Sequence, residues 1–208
     1  MKNTLLLAGI LLTVSPIATH ARAADLEPAR HRLGLLAGAS FFRGGVPESA
    51  IGRALPFQPD VTSPTYGVSV SIRAVRKLRV EFEATRSNGR EEEGFEGPDN
   101  HFLTAGLSYP LVTRRGGALT FALDAGGGMV ERRVQDAFQK AVEDAFDIDS
   151  WDPAAYAGAS IEWRFGRRLG LLTEYRLFRI FPEKQGSTLT ERPSYHAHRA
   201  LLGLSLSF

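Results

Sequence analysis

Cysteine is absent from the 208 residues. That excludes disulfides, thiolate metal sites and a lipid anchor on a cysteine at a leader cleavage site. Long apolar runs are scarce as well. Leu5 to Val14 is an apolar stretch of about ten residues, too short to cross a bilayer as a helix. Lys2 precedes it, Pro16 breaks it and Ala21-Arg22-Ala23 follows. This is the layout of a cleaved export signal over residues 1–23, with the mature chain starting at Ala24. Beyond residue 23 no run is long enough for a transmembrane helix. Net charge is also small. The chain carries +2, and losing Lys2 and Arg22 with the leader leaves 23 basic against 23 acidic side chains. A balance near zero argues against a nucleic-acid partner. No motif calls for a cofactor.

What the chain has instead is period two. Eight segments alternate apolar and polar residues as half-buried strands do. They are Leu33 to Phe42, Thr65 to Arg73, Lys77 to Arg86, His101 to Tyr109, Ala118 to Val130, Ala155 to Phe165, Leu169 to Ile180, and Tyr195 to Phe208. The third is the cleanest, with Leu78, Val80, Phe82 and Ala84 alternating with Arg79, Glu81, Glu83 and Thr85. The connections alternate too. Residues 74–76, 110–117 and 166–168 are short, whereas 43–64, 87–100, 131–154 and 181–194 are long. The pattern predicts an all-β fold: an eight-stranded antiparallel up-and-down transmembrane barrel with short periplasmic turns and long extracellular loops. Residues 24–32 would be a periplasmic lead-in and 33–208 the barrel. Tyr109, Trp163, Phe165 and Phe208 are expected in the inner aromatic girdle, and Phe41, Tyr66 and Phe181 in the outer one. The competing arrangement is a soluble, lipocalin-like barrel with its apolar face turned inward.

The last strand, Ala200-Leu-Leu-Gly-Leu-Ser-Leu-Ser-Phe208, carries Leu202, Leu204, Leu206 and Phe208 on one face. With the export signal, the eight strands and this aromatic ending, the chain resembles the small eight-stranded outer-membrane barrels of the OmpA/OmpX type. The resemblance spans about residues 30–208 and rests on pattern. It implies an outer-membrane location, lipopolysaccharide and lipid contact, and folding with periplasmic chaperones and the barrel-assembly machinery, which would read those four residues. The chain ends at its eighth strand, so no peptidoglycan-binding domain is expected after Phe208. A monomer is expected.

The inward face is rich in charge: Arg79, Glu81, Glu83, Asp124, Glu162, Arg164, Glu174, Arg176 and Arg199. Five acids meet four bases, and unpaired charges in a narrow lumen are costly. An eight-stranded barrel is about wide enough for its own side chains to fill. The expectation is an ion-pair network that braces the wall and blocks diffusion, centred on Glu174, Arg176 and Arg199. The alternative is a narrow porin-like path for ions or small solutes. Inward Gly34, Gly38, Gly67, Gly126, Gly128, Gly158 and Gly203 would leave room for it.

Binding is expected in the long loops. Glu91, Glu92, Glu93, Glu96 and Asp99 could gather a divalent cation, although their spacing fits no calcium loop and a solvated acidic face is the simpler reading. Val134, Phe138, Ala141, Val142, Ala145 and Phe146 recur at helical spacing, predicting a short amphipathic helix in the third long loop. With Ile51, Leu55, Phe57 and Phe95 they could form a surface for an extracellular protein partner. Arg43, Arg53, Arg90, Arg132, Arg133, Lys140, Lys184 and Arg192 could meet anionic lipid. For catalysis, the best local set is Ser194, His196 and His198 with Glu183, which together would suit acyl hydrolysis or transfer. The H-x-S-type motif of deacylase barrels is missing, and the chain is expected not to be an enzyme. The expected role is structural and surface-interacting.

Overall fold

Period-two segments can satisfy their backbone groups in lipid only by closing on one another, and here they do. A computed structural model describes residues 30–43, 62–75, 77–89, 91–92, 95–96, 99–114, 118–133, 151–181 and 194–208. The strands are β1 (His31–Arg43), β2 (Thr62–Val75), β3 (Leu78–Ser87), β4 (Glu91–Glu92), β5 (Phe95–Glu96), β6 (Asp99–Arg114), β7 (Leu119–Arg133), β8 (Trp151–Arg164), β9 (Leu169–Ile180) and β10 (Tyr195–Ser207). Eight of them form a closed barrel in the order β1-β10-β9-β8-β7-β6-β3-β2, while β4 and β5 make a small hairpin in the connection between β3 and β6. Every barrel pairing is antiparallel. Following register partners once around, the path leaves β1 at Ser40 and returns at Arg30, ten residues away. A stagger of that kind is what tilts the strands of a closed barrel.

The seam joins the two ends of the chain. The amide of His31 donates to the Phe208 carbonyl at 3.0 Å, and the Phe208 amide donates back at 3.1 Å. Their rings stack with centroids 5.7 Å apart. Both termini of the barrel therefore lie at the end that carries the short turns, and the longer connections gather at the other.

The two faces are inverted relative to a water-soluble protein. Leu35, Val68, Phe82, Leu107, Leu123, Ile161, Leu177 and Leu204, one from each barrel strand, point outward with 42–59% of their surface exposed. An apolar belt around the whole circumference has no place in water. Inside, the charged set is buried almost completely. The soluble, lipocalin-like arrangement requires the reverse and is overturned. Among the described residues no helix is long and apolar enough to cross a membrane. The positions on which a helix was expected, Val134 to Phe146, lie outside the described residues.

The strands run longer than alternation indicated. β6 continues through an irregularity at Pro110–Val112 to Arg114, and β7 and β8 extend to Arg133 and back to Trp151. At the amino-terminal side, β1 starts at His31 and brings Arg32 into the wall.

The inward glycines do not open the lumen, contrary to the expectation that they leave room for a path. A Cβ built on Gly38 would fall onto the carbonyl oxygen of Ala200, and one on Gly128 onto that of Leu103. These are places where neighbouring strands bend close, and only glycine fits. On Gly106 and Gly126 the Tyr156 ring takes the space a side chain would occupy. Replacing Gly38 by Val is therefore expected to cost about 3 kcal/mol, at the upper end for overpacking. Gly166, where a Cβ would meet nothing within 4 Å, should accept Ala without loss. The folded fraction after refolding into micelles, read as the heat-sensitive electrophoretic band, checks both.

Candidate functional site: the charged lumen

Alternation on β3 sends Glu81 and Glu83 inward, and on β9 it sends Glu174 and Arg176 inward. β3 and β9 stand four strands apart in a ring of eight, on opposite walls. Arg176 crosses the interior between them. Its Nη1 lies 2.9 Å from Glu83 Oε2, and its Nη2 lies 3.2 Å from Glu81 Oε1 and 3.3 Å from Glu174 Oε2. Arg199 on β10 is the register partner of Arg176. Two adjacent guanidinium groups cannot pair with each other, so both turn to β3. Arg199 forms an ion pair with Glu83 and donates to Thr85 Oγ1 at 2.6 Å. Arg176 and Arg199 are each 1% exposed.

A second layer lies toward the short-turn end. Arg32 reaches Glu81 at 3.4 Å and Glu162 at 3.7 Å, and Arg79 approaches Glu162 at 4.0 Å. The Ser205 hydroxyl donates to Glu162 at 3.0 Å. Glu81 thus links the two layers through Arg32 and Arg176. Asp124 and Arg164 are also buried inside. Leu36, Leu172 and Leu201 fill the wall beside these charges.

Toward the long-connection end, the lumen carries an apolar cluster on the β6 to β10 side, facing the hydrogen-bonded hydroxyls of Ser40, Thr65 and Ser87. Phe102, Val130, Ala154, Tyr156, Phe178, Ile180, Tyr195 and Ala197 form one buried cluster, with Phe42 against it. The cluster also faces the network: Arg176 lies over the Tyr156 ring at 4.8 Å, and Arg199 over Phe178 at 4.7 Å and Phe102 at 5.3 Å. Aromatic faces attract such cations when both are desolvated.

The expected inward residues are therefore all inside, but the centre is different. It lies on Glu81 and Glu83, not on Glu174, Arg176 and Arg199 alone, because the arginines pair across the barrel. Arg32 was missed: it supplies a fifth base and balances the five acids. The apolar cluster was missed too. Its signal is present in the sequence, since inward positions become apolar at the strand ends (Phe102, Val130, Phe178, Ile180, Ala197). Glu81, Glu83 and Glu174 bring carboxylate oxygens within 4.8 Å of one another, and the Arg176 guanidinium supplies the positive charge there.

Outside the lumen, Leu202, Leu204, Leu206 and Phe208 face outward, with Phe208 65% exposed. Ser194 and His196 are exposed at the long-connection end of β10. His198 Nδ1 shares a 2.7 Å hydrogen bond with the Tyr175 hydroxyl on the outer face. That bond occupies one of the two ring nitrogens a catalytic base would need, and Glu183 lies outside the described residues. Of the acidic loop, Asp99 is buried, pairs with Arg86 and accepts the Gly89 amide at 2.9 Å. Glu91 and Glu96 are register partners in the β4–β5 hairpin, and Glu93 lies outside the described residues.

A closed antiparallel wall of eight strands, apolar outside and ion-paired inside, is the architecture of the small eight-stranded outer-membrane β-barrels. Comparison with solved structures agrees. The Neisserial surface protein A matches with a TM-score of 0.60 at 13% identity, over 86% of this chain and 98% of that one. Ail of Yersinia pestis gives 0.47 at 11% identity, over 86% and 99%, and OprG of Pseudomonas aeruginosa 0.46 at 12%, over 86% and 97%. At such identities the likeness is one of fold. No family model and no curated protein sequence matches the chain.

Removing one partner of a buried ion pair leaves the other uncompensated, at about 3–5 kcal/mol. Arg176→Met should lose that much in urea titration of the barrel in micelles. Arg79→Met, at a 4.0 Å contact on a more exposed side chain, should lose less than Arg176→Met. Equal losses would mean that crossing the lumen confers nothing special.

Proposed function

We propose that this chain is exported to the outer membrane, where it stands as a closed barrel with both termini in the periplasm and its long connections at the cell surface. Its role is to present those connections from a rigid wall. The observation that carries this reading is the Arg176 bridge from β9 to Glu81 and Glu83 on β3. With the second charged layer on one side and the aromatic cluster on the other, it obstructs the path a solute would take. The apolar belt fits lipid on all sides, and four longer connections at one end fit a surface role. The name of the Neisserial surface protein A points the same way, by likeness of fold.

A narrow ion path is the second reading, favoured by the charges lining the lumen. In planar bilayers the native barrel should show no steady conductance. Arg176→Ala combined with Arg199→Ala, if it still inserts, should show steady openings. A native barrel that conducts steadily would give the channel reading precedence.

A further inference from the structure

The outer face is apolar along its middle; toward the long-connection end it carries polar groups, among them Arg86 paired with Asp99, His101 paired with Glu131, and a patch on β9 and β10. Along β9, Leu177, Arg179 and Phe181 share the outward side; Leu177 and Phe181 are 42% and 41% exposed, and the Arg179 guanidinium lies 5.5 Å over the Phe181 ring. His196, also exposed, is the register partner of Arg179, and Arg43 of β1 is the next partner in the same row. Below His196 on the same side stands the His198–Tyr175 pair, joined at 2.7 Å. Among the described residues no carboxylate is paired with Arg179 or His196.

The depth of the patch is informative. Arg179 is one residue from the end of β9, and His196 is one residue from the start of β10. A cation on the lipid face is costly at the bilayer midplane and nearly free at headgroup level. On the other side of Arg179, the row continues through Ala155 and Gly127 to Ala105. The row beneath runs from Leu177 through Ala157 to Ala125. Small residues there make a trough in the outer wall beside Arg179 and His196.

We propose that Arg179 and His196 bind the phosphate of a membrane lipid, whose acyl chain lies in the trough over Gly127, Ala155 and Ala157. Arg179 supplies a planar, two-pronged donor suited to phosphate. His196 adds a second donor from the adjacent strand, and the His198–Tyr175 pair completes the polar floor. The inference rests on the proposed membrane placement and adds a particular site on the wall.

The test uses full-length mature protein refolded into phosphatidylcholine vesicles containing phosphatidic acid. The barrels are extracted in mild detergent, and retained lipid is counted by native mass spectrometry. Native protein should keep phosphatidic acid in preference to phosphatidylcholine. The double variant Arg179→Ala, His196→Ala should keep about tenfold less, as loss of charge-assisted hydrogen bonds implies. Arg167→Ala with Arg168→Ala, at the other end of the barrel, should retain as much as native protein. Inorganic phosphate added during extraction should not displace the lipid; if it does, the site binds free phosphate and the lipid assignment is wrong. Equal retention by native protein and the Arg179/His196 variant would overturn the site. Heat-shift electrophoresis of the same samples keeps the two readings apart: a native chain that never inserts removes the membrane reading and the site with it, whereas an inserted barrel without preference removes the site alone.

Discussion

Arg176 connects opposite walls of the barrel, and the rest of the interior is arranged around that connection. A guanidinium 1% exposed inside the barrel needs compensation from several carboxylates at once, and it has three within 3.3 Å. Those carboxylates in turn need more positive charge than one arginine carries. Arg199 provides it on one side and Arg32 on the other. Removing any of these leaves a buried charge uncompensated. The interior is thus a single cooperative object, not a set of independent pairs.

Geometry makes this possible. Eight strands enclose a space narrow enough for facing side chains to meet, and the inward glycines let neighbouring backbones bend close enough to keep it narrow. Tyr156 shows how the pieces interlock: its ring covers Gly106 and Gly126 on one side and receives Arg176 on the other. Outside, lipid requires the opposite surface, and the leucines, valines and aromatics of all eight strands supply it. That rule relaxes near the strand ends on the long-connection side, at Arg86, His101, Arg179 and His196.

Much of this is legible in the chain itself. Alternation marks faces locally, so the outward and inward sides of all eight strands, and the burial of Glu81, Asp124 and Arg199, follow from residue order alone. Connection lengths indicate the up-and-down order for the same reason. What residue order does not carry is distance across the lumen. Glu174, Arg176 and Arg199 look self-contained because they lie on one strand and its neighbour; the ten-residue stagger also brings Glu81 and Glu83 to the two arginines from the far wall. Arg32 escaped because alternation begins clearly only at Leu33. The inward glycines were misjudged because absence of a side chain reads as space, whereas here it reflects contact. The apolar cluster escaped because inward phenylalanines break the pattern that identified the strands.

Coupling between the walls is the central claim, and a double-mutant cycle measures it directly. Glu83→Gln and Arg176→Met should be made singly and together, and unfolding free energies measured in the same micelles. If the bridge acts as described, the losses will fall short of additivity by about 1 kcal/mol or more, as they do for residues sharing one buried network. Losses that add to within about 0.5 kcal/mol would show that the two side chains act independently, and the braced, closed lumen would lose its basis.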